Sequence, residues 1–167
     1  RGTQLPFEMP PPAREGRLTV LTAQEIERKL EFILPRVQKP GRYTGGELNQ
    51  IVKDWDQTEI RTAFVFPDVY DIGMSNLGWA ILYDIVNQRP DALAERAFAP
   101  WSDMEDEMRR AGVPLYSLES KHPLAEFDLI GFSLPYETLY TNTLNLLDLA
   151  GIPLFAAGRG RRDPLII

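Results

Sequence analysis

The residues best suited to chemistry lie in FPDVYDIGMSNLGWAIL, positions 66–82. An apolar run breaks at Pro67, and Asp68, Asp71, Gly73, Ser75, Asn76 and Gly78 follow before an amphipathic pattern resumes. Carboxylates, hydroxyl and amide donors and glycines that admit a ligand to the backbone are the parts of a binding turn. A second stretch, GFSLPYE at 131–137, closes a later apolar run with Ser133, Tyr136 and Glu137.

Several ligand classes fail against these residues. A phosphate or flavin mononucleotide needs donors crowded at a helix start; Ser75, Asn76 and Gly78 supply some, but Asp68 and Asp71 oppose the charge. The spacing of Gly73 and Gly78 does not make a dinucleotide G-x-G-x-x-G. A phosphoacceptor receiver wants an Asp closing the third strand, and residues 117–119 contain none. Ser133 lacks a G-x-S-x-G turn, and the single histidine, His122, precedes a proline in a predicted loop, where a solvated or capping role is expected.

Composition narrows the field further. The chain has 167 residues, 44% hydrophobic and 25% charged, enough for one domain with a real core. Residues 1–61 carry 10 − 9 = +1 and residues 62–167 carry 8 − 15 = −7. Such an acidic half argues against nucleic acid as a partner. No apolar run reaches the length of a membrane span and no signal peptide opens the chain, so no membrane partner and a cytoplasmic location are expected. Without cysteine there is no disulfide, no thiolate metal site and no cysteine-held iron-sulfur cluster; no metal ligands are assigned.

Alternating elements must position the two stretches. Residues 1–20, rich in Pro, Arg and Gly, read as a flexible arm, and residues 21–59 as a helical extension and connector. In the extension, Thr22 and Glu25 form a capping box for a helix with Ile26, Leu30, Ile33 and Leu34 on one face. Residues 39–55 read as a connector across the domain surface. The α/β domain is assigned to 60–167. Strands are predicted at 62–66, 95–99, 115–118, 128–134 and 164–167. Helices are predicted at 76–87, with Leu77, Ile81, Leu82 and Ile85 inward, at 102–111, capped by Ser102 and Glu105 and stopped by Gly112, and at 138–150. Strands alternating with helices imply right-handed crossovers and a doubly wound, flavodoxin-like parallel sheet of about five strands with helices on both faces. In such a sheet ligands bind at the carboxyl ends of the strands, where the strand order reverses, which brings the 67–75 and 133–137 loops together.

Asp68-Val69-Tyr70-Asp71-Ile72-Gly73 resembles the D-x-H-x-x-G loop of cobalamin-binding domains, with Tyr70 in the histidine's place. A protonated phenol is a poor cobalt ligand, so the resemblance implies a lower cobalt face without histidine. Ser133 matches the family's second motif, although Pro135 interrupts its usual S-x-L, and the third, a Gly-Gly, is expected past Ile167. Over residues 21–167 the chain resembles the amino-terminal region of cobalamin-binding-like radical S-adenosylmethionine proteins. The phrases that carry this are LTAQEIERKL, KPGRYTGGELNQIVKDW, FPDVYDIGMSNLG, GFSLPYETLYTNTLNLLDLAGIPL and RDPLII. The resemblance implies a cobalamin cleft formed by Asp68, Tyr70, Gly73, Ser75, Asn76, Ser133, Tyr136 and Glu137. It also implies a partner: the protein's own C-terminal barrel, whose C-x-x-x-C-x-x-C cysteines hold a four-iron four-sulfur cluster that cleaves S-adenosylmethionine. On this reading the domain is truncated at its fifth strand, presents a corrinoid to the barrel and has no catalytic residue of its own. The alternative is a degenerate pocket in a structural or interaction module.

Overall fold

A computed structural model describes residues 21–167, and the arm assigned to residues 1–20 lies outside the described residues. Four parallel strands form one sheet: β1 (Ile60–Phe66), β2 (Ala92–Phe98), β3 (Leu129–Phe132) and β4 (Leu165–Ile166), in the order β2-β1-β3-β4. β1 pairs with β2 from Ile60↔Ala92 to Phe66↔Phe98 and with β3 from Thr62↔Leu129 to Val65↔Phe132. The predicted central pair is therefore in place, and strand order reverses between β1 and β3 as it does in flavodoxin-like sheets.

Side chains alternate across β1, so the sheet builds two cores. Ala63 and Val65 pack with Ala97, Ile130 and three helices: α1 (Ala23–Ile33), α4 (Ser102–Ala111) and α5 (Leu139–Leu149). Phe64 and Phe66 pack with Ala94, Phe98 and the single long helix α3 (Leu77–Asn87), which supplies Trp79 and Tyr83. Helices thus cover both faces, but unequally.

α1 follows its sequence signals. Thr22 accepts from the Glu25 amide, Glu25 returns to the Thr22 amide at 2.8 Å, and Ile26, Leu30 and Ile33 are buried. Gly112 and Gly151 stop α4 and α5 at φ of 65° and 70°, the left-handed conformation that glycine reaches without strain.

Other expectations fail for local reasons. The stretch 115–118 forms no ladder strand: Leu118 donates one bond to Arg96 O, Tyr116 makes a lone antiparallel bridge to Pro123, and the Glu119 carboxylate takes the Arg96 amide. Among the described residues the sheet therefore has four strands rather than about five. The box expected at Ser102 is also absent, because Trp101 is the cap residue and Arg109 draws the Glu105 carboxylate away at 2.9 Å.

α3 is rotated relative to its expected orientation. Leu77, Ile81, Leu82 and Ile85, read as inward, are 73%, 49%, 48% and 54% exposed, while Trp79, Tyr83 and Asn87 are buried. The helix is apolar around most of its girth, so amphipathicity does not choose its face. Hydrogen bonding does. The Asn87 amide pairs with both Ala94 N and O, and the Tyr83 hydroxyl accepts from Ile51 N at 2.8 Å.

These bonds belong to a continuous cover over the outer edge of β2. Lys53 Nζ binds Ala92 O, Asn87 binds both backbone groups of Ala94, and Glu119 and Leu118 bind those of Arg96. An edge closed in this way cannot recruit another strand. The 39–55 connector reaches this edge through Lys53 and the neighbouring α3 through Ile51.

Candidate functional site

The site expected from the sequence lies on the carboxyl rim, and Asp68 is its hub. After β1, Pro67 carries no amide proton, and the chain turns so that Asp68 N donates to Phe66 O at 2.8 Å. Asp68 O then accepts from Ala99 N at 2.9 Å, which ties the exit of β1 to that of β2. One carboxylate oxygen accepts from Val69 N at 2.7 Å and the other from the Tyr136 hydroxyl at 3.1 Å. On the β3 side, Ser133 N donates to Val65 O at 3.2 Å and Asn142 Nδ2 to Pro67 O at 2.8 Å. The two loops do converge across the reversal point. Desolvation, followed by the Asp68 contact, raises the Tyr136 phenol pKa, so this hydroxyl stays a donor.

The remaining predicted residues are turned to other tasks. Ser75 Oγ donates to Ile72 O at 2.8 Å, and Asn76 caps α3 by accepting from Trp79 N at 3.1 Å. Glu137 lies exposed just before α5.

Tyr70 opens the single turn α2 (Tyr70–Gly73) and is turned to the connector and to β2. Its ring meets Phe98 edge-on at 5.5 Å and its hydroxyl donates to Glu47 Oε1 of the connector at 2.5 Å. Burial and that carboxylate push the phenol up to about 12. The neighbouring Asp71 also faces the connector, held by Arg42 at 2.6 Å and Lys39 at 3.6 Å, and the Arg42 bond lowers its carboxyl pKa.

Gly73 is buried, and a Cβ built there would run into the Phe98 ring and stand 3.1 Å from Phe66 Cβ. Its missing side chain makes room for Phe98, within the domain. A corrinoid with its nucleotide tail passing Gly73 does not fit this packing, and a phenol committed to Glu47 offers cobalt no ligand. Among the described residues no group of three or more His, Asp or Glu side chains is placed to hold a metal ion.

A second polar cluster escaped the sequence reading. His122 is half-buried, stacked flat on Trp55 of the connector at 3.6 Å, with Nδ1 2.7 Å from Ser120 Oγ. Ser120 Oγ is in turn 2.5 Å from Oε2 of Glu95, a carboxyl with no exposed surface. Arg96 beside it is buried against Glu119 at 2.6 Å and over the Tyr83 ring at 4.3 Å. The available signal was the strand sequence ALAERAF, where two adjacent charges stand in a run otherwise fit for burial on both faces.

No curated protein and no solved structure matches the chain. A family model described as radical SAM proteins, N-terminal, matches residues 78–167, more than half of the 167. That match begins inside α3 and takes in β2, α4, β3, α5 and β4. On that match, which the parallel α/β architecture accommodates, the chain belongs to the radical SAM N-terminal family.

Proposed function

We propose that the chain is a docking module of a radical S-adenosylmethionine protein, seated through the outer face of α3 on the C-terminal barrel that binds S-adenosylmethionine and the four-iron four-sulfur cluster. The observation that carries this is the apolar face of α3, which no described residue covers: Leu77, Ile81, Leu82 and Ile85 stand in solvent. Contiguous exposed apolar surface on a soluble domain marks an interaction site. Burying the exposed halves of those four α3 side chains is worth about 1 kcal/mol each, or ~4 kcal/mol together. With no cysteine in the chain, the cluster's thiolates would come from the barrel.

Hydroxyl-radical footprinting of the parent protein against this domain alone tests the reading. Oxidation of Leu77, Leu82 and Ile85 is expected to fall several-fold in the parent. Equal labelling in both would overturn it.

Corrinoid presentation is the second reading, favoured by the Asp68–Tyr136 bridge across the strand-order reversal and by the Asp68 to Gly73 spacing. It requires the Phe98 ring to leave Gly73. A titration of the parent protein with hydroxocobalamin tests it: a saturable change in the visible spectrum would support cobalamin as a cofactor, and none up to about 1 mM would leave the docking module.

A further inference from the structure

Glu95 lies on β2 with no exposed surface; among the described residues its Oε1 has no partner of hydrogen-bond geometry, and Ser117, whose Oγ lies 3.3 Å from Ser120 Oγ, tempers the rise that burial gives the Glu95 carboxyl pKa. Its other oxygen meets Ser120 Oγ at 2.5 Å and Ser120 N at 3.4 Å, and Ser120 Oγ meets His122 Nδ1 at 2.7 Å. We propose that His122, Ser120 and Glu95 form a proton relay, through which the sealed carboxyl exchanges its proton with solvent by way of an imidazole clamped on the connector.

The single hydroxyl proton of Ser120 sets the logic. When Glu95 is ionised, Ser120 donates to it and must accept from an Nδ1–H on His122. When Glu95 carries the proton, its O–H donates to Ser120, and Ser120 donates to a bare Nδ1. A solvent proton arriving at Nε2 is matched by transfer of the Nδ1 proton to Ser120 and of the Ser120 proton to Glu95. The count closes: one proton enters, Glu95 becomes neutral, and His122 ends neutral in its other tautomer. Each step crosses one of the two hydrogen bonds above, and the geometry needs no rearrangement.

The surrounding charges bear on both ends. Glu95 faces Lys121 and Glu119, with Tyr83 of α3 also within its field. Lys121 is buried, donates to Thr44 O at 2.9 Å and to Leu118 O at 2.5 Å, and feels Glu27 of α1. His122 feels Arg61, which lies over the Trp55 ring at 4.9 Å, and Asp56. Burial favours the neutral forms of Glu95 and His122 alike, the condition under which a proton is passed along instead of being stored as a charge pair. The relay therefore touches the connector at Trp55 through the His122 stack, and Lys121 beside it reaches Thr44.

His122 is the chain's only histidine, so its ring nitrogens report without ambiguity in a nitrogen-15 NMR titration. Glu95→Gln is expected to lower the His122 midpoint by about one pH unit, tenfold in proton affinity. In a Ser120→Ala background the same substitution is expected to leave the midpoint unmoved. An equal shift in both backgrounds would mean a through-space field and would overturn the relay, as would no shift with Ser120 present. The wild-type protein supplies a check independent of how the variants fold. With carbon-13 in the glutamate carboxyls, Glu95 and His122 are expected to share one titration, and independent midpoints would overturn the proposal.

Discussion

Gly73→Val separates a glycine that admits a ligand from one that seats a neighbouring ring. A Cβ at this position would collide with Phe98 and approach Phe66 Cβ to 3.1 Å, and valine adds two further methyls. Phe66 is buried in the sheet and Phe98 is pinned by the Tyr70 ring and the β2 backbone, so neither yields easily. Overpacking of this kind costs about 3 kcal/mol, and the better helix propensity of valine over glycine returns only ~0.4 kcal/mol. The net loss of about 2–3 kcal/mol lowers Tm by roughly 5–10 °C in a chain of this size. Urea denaturation followed by far-ultraviolet circular dichroism reads it as a fall in the midpoint at constant slope. Phe98→Leu, which withdraws the ring, costs about 1–2 kcal/mol alone, and the double variant is expected to recover at least ~1 kcal/mol relative to the sum. A neutral Gly73→Val, or strict additivity with Phe98→Leu, would show that Gly73 opens onto free space, and the packing argument would fail.

Two further outcomes follow from the connector and the β2 edge. The phenols of Tyr70 and Tyr83, both pushed up to about 12, keep their protons in the folded state where an unfolded tyrosine has lost them. Their contribution is complete below pH ~10 and is lost as pH rises from about 10 to 12, so alkaline melts should steepen in that window. Tyr70→Phe and Tyr83→Phe together should flatten the slope, and an unchanged slope would refute the assignment. Asn87→Leu strands both backbone groups of Ala94 at a cost of about 2–3 kcal/mol. It also reopens the β2 edge, so light scattering should show concentration-dependent association, and a variant that stays monomeric at millimolar concentration would contradict the role of this edge cover.

The sequence by itself determined the parallel α/β class, the neighbouring central strands, the α1 capping box and the glycine stops of α4 and α5. These features rest on interactions within a few residues, or on the near-continuous apolar character that burial of both sheet faces demands. Convergence of the 67–75 and 133–137 loops was equally legible, since strand order alone puts both at the rim. Tertiary structure decided which face α3 buries, because its aliphatic and aromatic stripes are both apolar and it is the side chains of Asn87 and Tyr83 that meet backbone partners outside the helix, on β2 and on the connector. It also gave Tyr70 and Gly73 their neighbours. Glu47 lies 23 residues before Tyr70, and Phe98 comes from the adjacent strand, so neither contact leaves a local pattern. The same reason hid the Glu95, Ser120 and His122 chain. Its members are 25 and 2 residues apart and come together only when the turn after α4 folds against the edge of β2 and Trp55 closes over the imidazole.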